Sequence, residues 1–185
     1  MSEIEELQKL LSSPVRADRK RAAQLLAEGE SSDLALASLW SLLGDPDKTV
    51  RAAASDALAC HGEGAIPLLR KGLEDPDWVI RYRSVEALGR MEIAGVEDII
   101  VGMLKDPREH VRYMAAKSLL NRVPPSAIDL LKACLRDDNV YVRTMAVAAL
   151  ASSNSGEAKG ALMEHLYRES SEEIRSRIRA YLRVE

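Results

Sequence analysis

The sequence predicts an all-α fold: an α-solenoid of about six helical hairpins that fills residues 1–185 as a single repeat domain. Three observations carry the prediction. First, a segment recurs as Asp45-Pro46-Asp47-Lys48-Thr49-Val50-Arg51, Asp75-Pro76-Asp77-Trp78-Val79-Ile80-Arg81 and Asp106-Pro107-Arg108-Glu109-His110-Val111-Arg112. Asp137-Asp138-Asn139-Val140-Tyr141-Val142-Arg143 is a further copy without the proline, and weaker end copies are anchored on Arg19 and Arg175. The six arginines step by 32, 30, 31, 31 and 32 residues, a fixed period of the kind repeat architectures show. Second, a leucine stands seven residues after each arginine, at Leu26, Leu58, Leu88, Leu119, Leu150 and Leu182. A mostly small residue stands three after it: Ala22, Ala54, Ser84, Ala115, Ala146 and the exception Ile178. Third, no stretch alternates apolar and polar residues as a half-buried strand does.

Each copy reads as two helices, in approximate spans 1–30, 31–62, 63–93, 94–123, 124–154 and 155–185. In the second helix, apolar or small residues fall at −1, +3, +6, +7 and +10 from the arginine, one arc at helical spacing. The Asp-Pro step reads as its N-cap and first helical residue, since a carboxylate accepts from orphan amides and proline loses no needed donor there. Gly29, Gly62 and Gly89 read as stop signals. The shorter first helix carries Ile66, Leu69 and Leu73, then Val96, Ile100 and Leu104, then Ile128, Leu131 and Leu135. Glu30-Ser31-Ser32-Asp33, Pro124-Pro125-Ser126 and Ser152-Ser153-Asn154-Ser155-Gly156 read as loops between pairs. One hairpin cannot bury its apolar arc alone, so neighbours must stack; the small residue at +3 permits close approach and the leucine at +7 fills the seam.

Composition narrows the function classes. Hydrophobic residues make up 46% and charged residues 30%, which supports a packed core, and a net charge of −3 argues against a general nucleic-acid binder. Two cysteines cannot make a disulfide scaffold, and the acidic, amphipathic start lacks the basic and apolar runs of a secretory signal, so a cytoplasmic location is expected. No run of 18 apolar residues exists, so no membrane span is expected.

The copy at 45–58, Asp-Pro-Asp-x-x-Val-Arg-x-x-Ala-x-x-Ala-Leu, resembles a HEAT repeat, and the period near 31 resembles the short HEAT-like repeats of the phycobilisome lyase type. The resemblance covers essentially the whole chain. It implies right-handed stacking with the Asp-Pro helices lining the concave face, and a structural ladder between repeats in which the turn aspartates pair with the helix arginines. Asp45, Asp75, Asp106 and Asp137 with Arg51, Arg81, Arg112 and Arg143 match those positions. Ser13 and Glu169 replace the aspartate in copies one and six, so the resemblance does not carry the ladder to them.

The candidate binding residues are aromatic. On the second helix the solvent direction lies near −3, +1, +5 and +8. Trp78 stands at −3, Tyr82 and Tyr113 at +1, and Tyr141 at −2 on the edge of the same arc, with Arg83, Glu86 and Lys117 flanking them. Large rigid side chains beside charges are what a partner-binding hot spot uses; the bland alternative is that each ring seals a seam between helices. Met114 and Met145 at +2 read as packing residues. The second-helix segments from −3 to +10 hold 17 basic and 8 acidic residues, and the six ladder arginines account for much of the excess, which leaves a mild preference for an acidic protein surface.

No catalytic, metal or cofactor set is found. His61, His110 and His165 lie in alternate copies, too far apart along a stack to share an ion, and Cys60-His61 reads as a pair at a helix end. There is no Gly-rich phosphate loop, His-Glu-x-x-His or Gly-x-Ser-x-Gly motif, nor the His-Glu dipeptides of HEAT-like hydroxylases. The expected function is therefore a non-catalytic scaffold or adaptor that holds a protein or peptide on its concave face. The resemblance also implies an alternative, a subunit or chaperone of a bilin lyase-like complex. A HEAT-like nucleic-acid binder is a third reading, opposed by the acidic charge balance.

Overall fold

The computed structural model describes residues 3–184, and among these every regular element is helical. Six hairpins follow one another. The first is α1 (Glu3–Leu11) with α2 (Arg16–Glu28), and the second is α3 (Asp33–Leu43) with α4 (Lys48–Cys60). The third opens on a 3-10 turn at Gly62–Ala65 and pairs α5 (Ile66–Gly72) with α6 (Trp78–Arg90). The fourth pairs α7 (Val96–Val101), which tightens into a 3-10 turn at Gly102–Lys105, with α8 (Glu109–Ser118). The fifth opens on a 3-10 turn at Pro125–Ala127 and pairs α9 (Ile128–Cys134) with α10 (Val140–Ser152). The last pairs α11 (Gly156–Leu166) with α12 (Glu172–Leu182). The chain divides into two compact units, Met1–Ile93 and Ala94–Glu185, of three hairpins each.

Every second helix begins three residues before its arginine, at Arg16, Lys48, Trp78, Glu109, Val140 and Glu172. This corrects the expected capping. Four helices are capped by Asp47, Asp77 and Asn139, whose side chains accept from the amides of Thr49, Val79 and Tyr141, and by Ser171, which accepts from Ile174, whereas Val15 and Arg108 stand at the starts of α2 and α8 without a side-chain cap bond. The aspartate before proline lies two residues upstream and closes a turn of its own. Asp45, Asp75, Asp106 and Asp137 each accept from the amide two residues on, at 2.8 to 2.9 Å. Glu169 does the same for Ser171 at 2.8 Å, and Ser13 for Val15 at 3.1 Å. Proline fits between the two acceptors because its fixed φ suits the turn and no amide is needed there. Gly89 is a second correction. It lies inside α6, which continues to Arg90, whereas Gly29 caps α2 and Gly62 takes a left-handed φ of 57° just beyond α4.

Packing follows the arc read from the sequence. The six residues at +3, Ile178 included, are fully buried, and so are the leucines at +7 apart from slight exposure of Leu26 and Leu182. In the first unit α2 packs on α4 and α4 on α6; in the second, α8 packs on α10 and α10 on α12. The second helices thus form one row in each unit. The first helices cover its other side, through Leu39, Leu43 and Leu69 in one unit and Ile100, Leu131 and Leu162 in the other. Burying a leucine of this kind is worth about 2 kcal/mol, so the repeated seam supplies the main stabilising term.

Candidate functional site: the face of the second helices

The regular starts of α2, α4 and α6 bring their −3, +1 and +5 positions to one face in the first unit, and the side chains there differ by copy. On α6, Trp78 and Tyr82 are half-buried and Arg83 lies over the Tyr82 ring at 5.2 Å. Arg83 and Glu86 are not the open flanks that their spacing predicted. Their side chains are only 13% and 12% exposed and pair with each other at 2.5 Å. Glu86 also meets Arg90, which bridges to Asp56 of α4. The acids on this part of the face are therefore already matched by arginine.

On α4 the corresponding position +1 is Ala52, and the face opens into a groove of about 620 Å³. Ala52, Ala53 and Ala57 form its floor, and Lys20 of α2, Lys48 of α4 and Arg83 of α6 are among its walls. Lys20 and Lys48 are exposed, and neither has an ion-pair partner among the described residues. Sequence reasoning missed this groove because it sought large side chains. The signal was present as alanine at +1 in copy two, where copies three and four carry tyrosine.

In the second unit, Tyr113 of α8 and Tyr141 of α10 line one pocket of about 180 Å³ with Glu109, His110 and Asn139. Tyr141 is 69% exposed and Tyr113 is half-buried. Asn139 is held by its capping bonds to the Tyr141 and Val142 amides, at 2.9 and 3.4 Å. Lys117 stands exposed on α8. Of the two methionines at +2, Met114 is buried and Met145 half-buried.

The repeated arginines point into the turns. Nη1 of Arg51, Arg81, Arg112 and Arg143 donates to the carbonyl oxygens five and six residues upstream, at 2.6 to 3.2 Å. Arg19 and Arg175 repeat the bond at 2.9 and 2.8 Å. Arg19, Arg112 and Arg143 also reach the acid of the following copy through both Nε and Nη2: Arg19 to Asp45 at 2.6 and 3.0 Å, Arg112 to Asp137 at 2.6 and 2.9 Å, and Arg143 to Glu169 at 2.9 and 3.1 Å. Arg51 forms no such pair with Asp75, and its buried Nε has no hydrogen-bond partner. The Arg19 guanidinium holds Asp45 below the usual carboxylate range against the opposing effect of burial. Burial likewise works against ionisation of Glu169, but Arg143, the Ser171 amide and His165 outweigh it and hold the carboxyl at about 2.

Among the described residues, no group of three His, Cys, Asp or Glu side chains is placed to hold a metal ion. Cys60 is exposed at the end of α4, and Cys134 is buried in α9. No described helix is long and apolar enough to cross a membrane.

The family of HEAT repeats matches the chain over residues 4–89, 66–139 and 96–183. No curated protein matches it. Among solved structures, the complex of CpcE and CpcF of phycocyanin lyase from Nostoc sp. PCC7120 is similar, with 23% identity and a TM-score of 0.69 over 81% of this chain and 99% of that one. A designed armadillo repeat protein in complex with the peptide (KR)4 is 22% identical, with a TM-score of 0.61 over 98% of this chain and 99% of that one. A computationally designed armadillo repeat protein for modular peptide recognition is also 22% identical, with a TM-score of 0.60 over 98% and 99%. At these identities the likeness concerns the fold, an α-solenoid of helical repeats.

Proposed function

Because the chain belongs to the HEAT-repeat family, we propose that it is a non-catalytic scaffold that holds a protein or peptide on the face of its second helices. The observation that carries this reading is the Tyr113–Tyr141 pocket. Here a ring that is 69% exposed stands beside a second, half-buried ring, with the exposed His110 at their side. Aromatic side chains lose little conformational entropy on binding and release much water, which is why a few of them dominate many interfaces. Trp78 and Tyr82 supply the corresponding rings in the first unit, and Lys117 a charge beside those of the second. The designed armadillo proteins, which are built for or bound to peptides, support the reading by analogy of fold.

The test has two stages. The tagged chain is used to capture partners from its native cells, which mass spectrometry identifies. The recovered partner is then titrated against Trp78→Ala/Tyr82→Ala and Tyr113→Ala/Tyr141→Ala. At least a tenfold loss of affinity in one of the pairs, with the urea midpoint held, is expected; unchanged affinity in both overturns the assignment.

One observation favours a second reading, a subunit or chaperone in bilin attachment: the likeness to the CpcE–CpcF phycocyanin lyase complex extends over 81% of the chain. A spectral shift of a linear tetrapyrrole on titration with the purified protein would support that role, and an unshifted spectrum at micromolar protein would remove it.

A further inference from the structure

We infer that the groove of the first unit takes an acidic segment of a partner protein, whose carboxylates meet Lys20 and Lys48 while its backbone lies over the alanine floor. The inference rests on the scaffold reading above and names the chemistry of the partner. Three features of the groove point the same way.

The first is unmatched charge. α2, α4 and α6 together carry nine basic and four acidic residues, although the chain as a whole has a net charge of −3, so this row is a basic part of an acidic protein. Most of its arginines are already engaged: Arg19 with Asp45, Arg16 with Asp47, Arg83 with Glu86, and Arg90 with Asp56 and Glu86. Lys20 and Lys48 are left as exposed cations on the groove wall with no ion-pair partner among the described residues. Asp56, the one acid lining the groove, is bridged to Arg90.

The second feature is shape. The groove of about 620 Å³ exists because copy two carries Ala52 where copy three carries Tyr82, and because Ala53 and Ala57 continue the low floor along α4. Small side chains beneath a chain allow its backbone to come close, and cations above the floor give its acidic side chains a fixed register. The third is the contrast with the peptide (KR)4 bound by the designed armadillo protein. A peptide of that sign would meet Lys20 and Lys48 with like charge, which costs affinity.

The experiment is fluorescence anisotropy of the full chain with three labelled probes of matched length: a twelve-residue alternating Glu-Ala peptide, the alternating Lys-Ala peptide, and a DNA duplex. The Glu-Ala peptide is expected to bind, with affinity that falls as salt rises. Lys20→Glu/Lys48→Glu should weaken it more than tenfold and strengthen the Lys-Ala peptide. Both lysines are exposed, so the variant should keep the parent's melting curve. Ala52→Tyr, which installs the residue copy three already carries, should cost at least fivefold with every charge intact; this separates docking in the groove from general attraction. Equal binding by the charge-reversed protein, equal binding by the Lys-Ala peptide, binding of duplex DNA that is tighter per negative charge than that of the Glu-Ala peptide, or no effect of Ala52→Tyr overturns the inference. Its failure is distinguishable from failure of the scaffold reading. If the captured partner is lost with Trp78→Ala/Tyr82→Ala or Tyr113→Ala/Tyr141→Ala but kept by Lys20→Glu/Lys48→Glu, the scaffold stands and the acidic partner falls.

Discussion

Glu169 receives Arg143 on both carboxylate oxygens, Nε to Oε2 at 2.9 Å and Nη2 to Oε1 at 3.1 Å, although the two residues are 26 positions apart in the chain. Its side chain is 1% exposed, and Oε2 also lies 2.9 Å from Nε2 of the buried His165. An acid one methylene longer than the repeated aspartate thus joins α10 to the last hairpin. The unfolded carboxyl takes up its proton near its ordinary value of 4.5, whereas the folded one stays ionised down to about 2. The unfolded state therefore binds more protons in this window, and stability falls as the pH falls through it. Glu169→Gln is expected to lose about 3 kcal/mol at neutral pH, because it leaves a largely buried guanidinium without its counter-charge. The variant should also show a flatter decline in stability between pH 4.5 and 2, measured by urea unfolding at a series of pH values. A decline as steep as the parent's would refute the assignment.

The repeated arginines should differ in cost although their sequence contexts match. Arg112 combines two carbonyl bonds with a forked pair to Asp137, whereas Arg51 has the carbonyl bonds alone and a buried Nε without a partner. Arg112→Ala is expected to destabilise by about 1 to 2 kcal/mol more than Arg51→Ala, with Arg112→Lys between parent and alanine, since an ammonium keeps the charge and lacks the fork. Denaturant midpoints of the three variants decide it.

Ser84 sits where four of the other copies carry alanine, fully buried and with its hydroxyl unpaired. Ser84→Ala is expected to stabilise by about 1 kcal/mol, because burying a hydroxyl without a partner costs roughly that much. The opposite change is expected across the seam. A Cβ at Gly72 would collide with Ser84 Oγ and approach both Ser84 Cβ and Trp40 Cζ3 to 3.0 Å. Gly72→Ala should therefore lose about 2 kcal/mol through overpacking. Thermal melts of both variants test the pair.

The two thiols should react at very different rates. Burial, with help from nearby Asp137, pushes Cys134 up to about 11 against the opposing effect of Arg112, and its Sγ–H donates to the Leu104 carbonyl at 3.6 Å. Cys60 is exposed. Since the thiolate is the reactive species, an aromatic disulfide reagent at neutral pH should modify one thiol promptly and the second only on unfolding. Prompt modification of both in the native protein would contradict the burial of Cys134.

The period of the arginines, with small residues at +3 and leucines at +7, was enough to predict stacked helical hairpins and the buried arc, because burial in a solenoid depends on neighbours that repeat the same pattern. Those features are local and additive, so they survive being read one copy at a time. Other features were decided in three dimensions. Whether an arginine reaches an acid some 26 residues away depends on how adjacent hairpins are spaced, which is why Arg19, Arg112 and Arg143 do and Arg51 does not. Glu169 joins despite breaking the aspartate pattern because its extra length still spans the gap. Arg83 and Glu86 turn toward each other instead of outward, since an i,i+3 ion pair competes with solvent. The groove over Ala52 is the plainest case: it is made by side chains that are missing, and such a space has no boundary until Lys20, Lys48 and Arg83 from three different helices close around it.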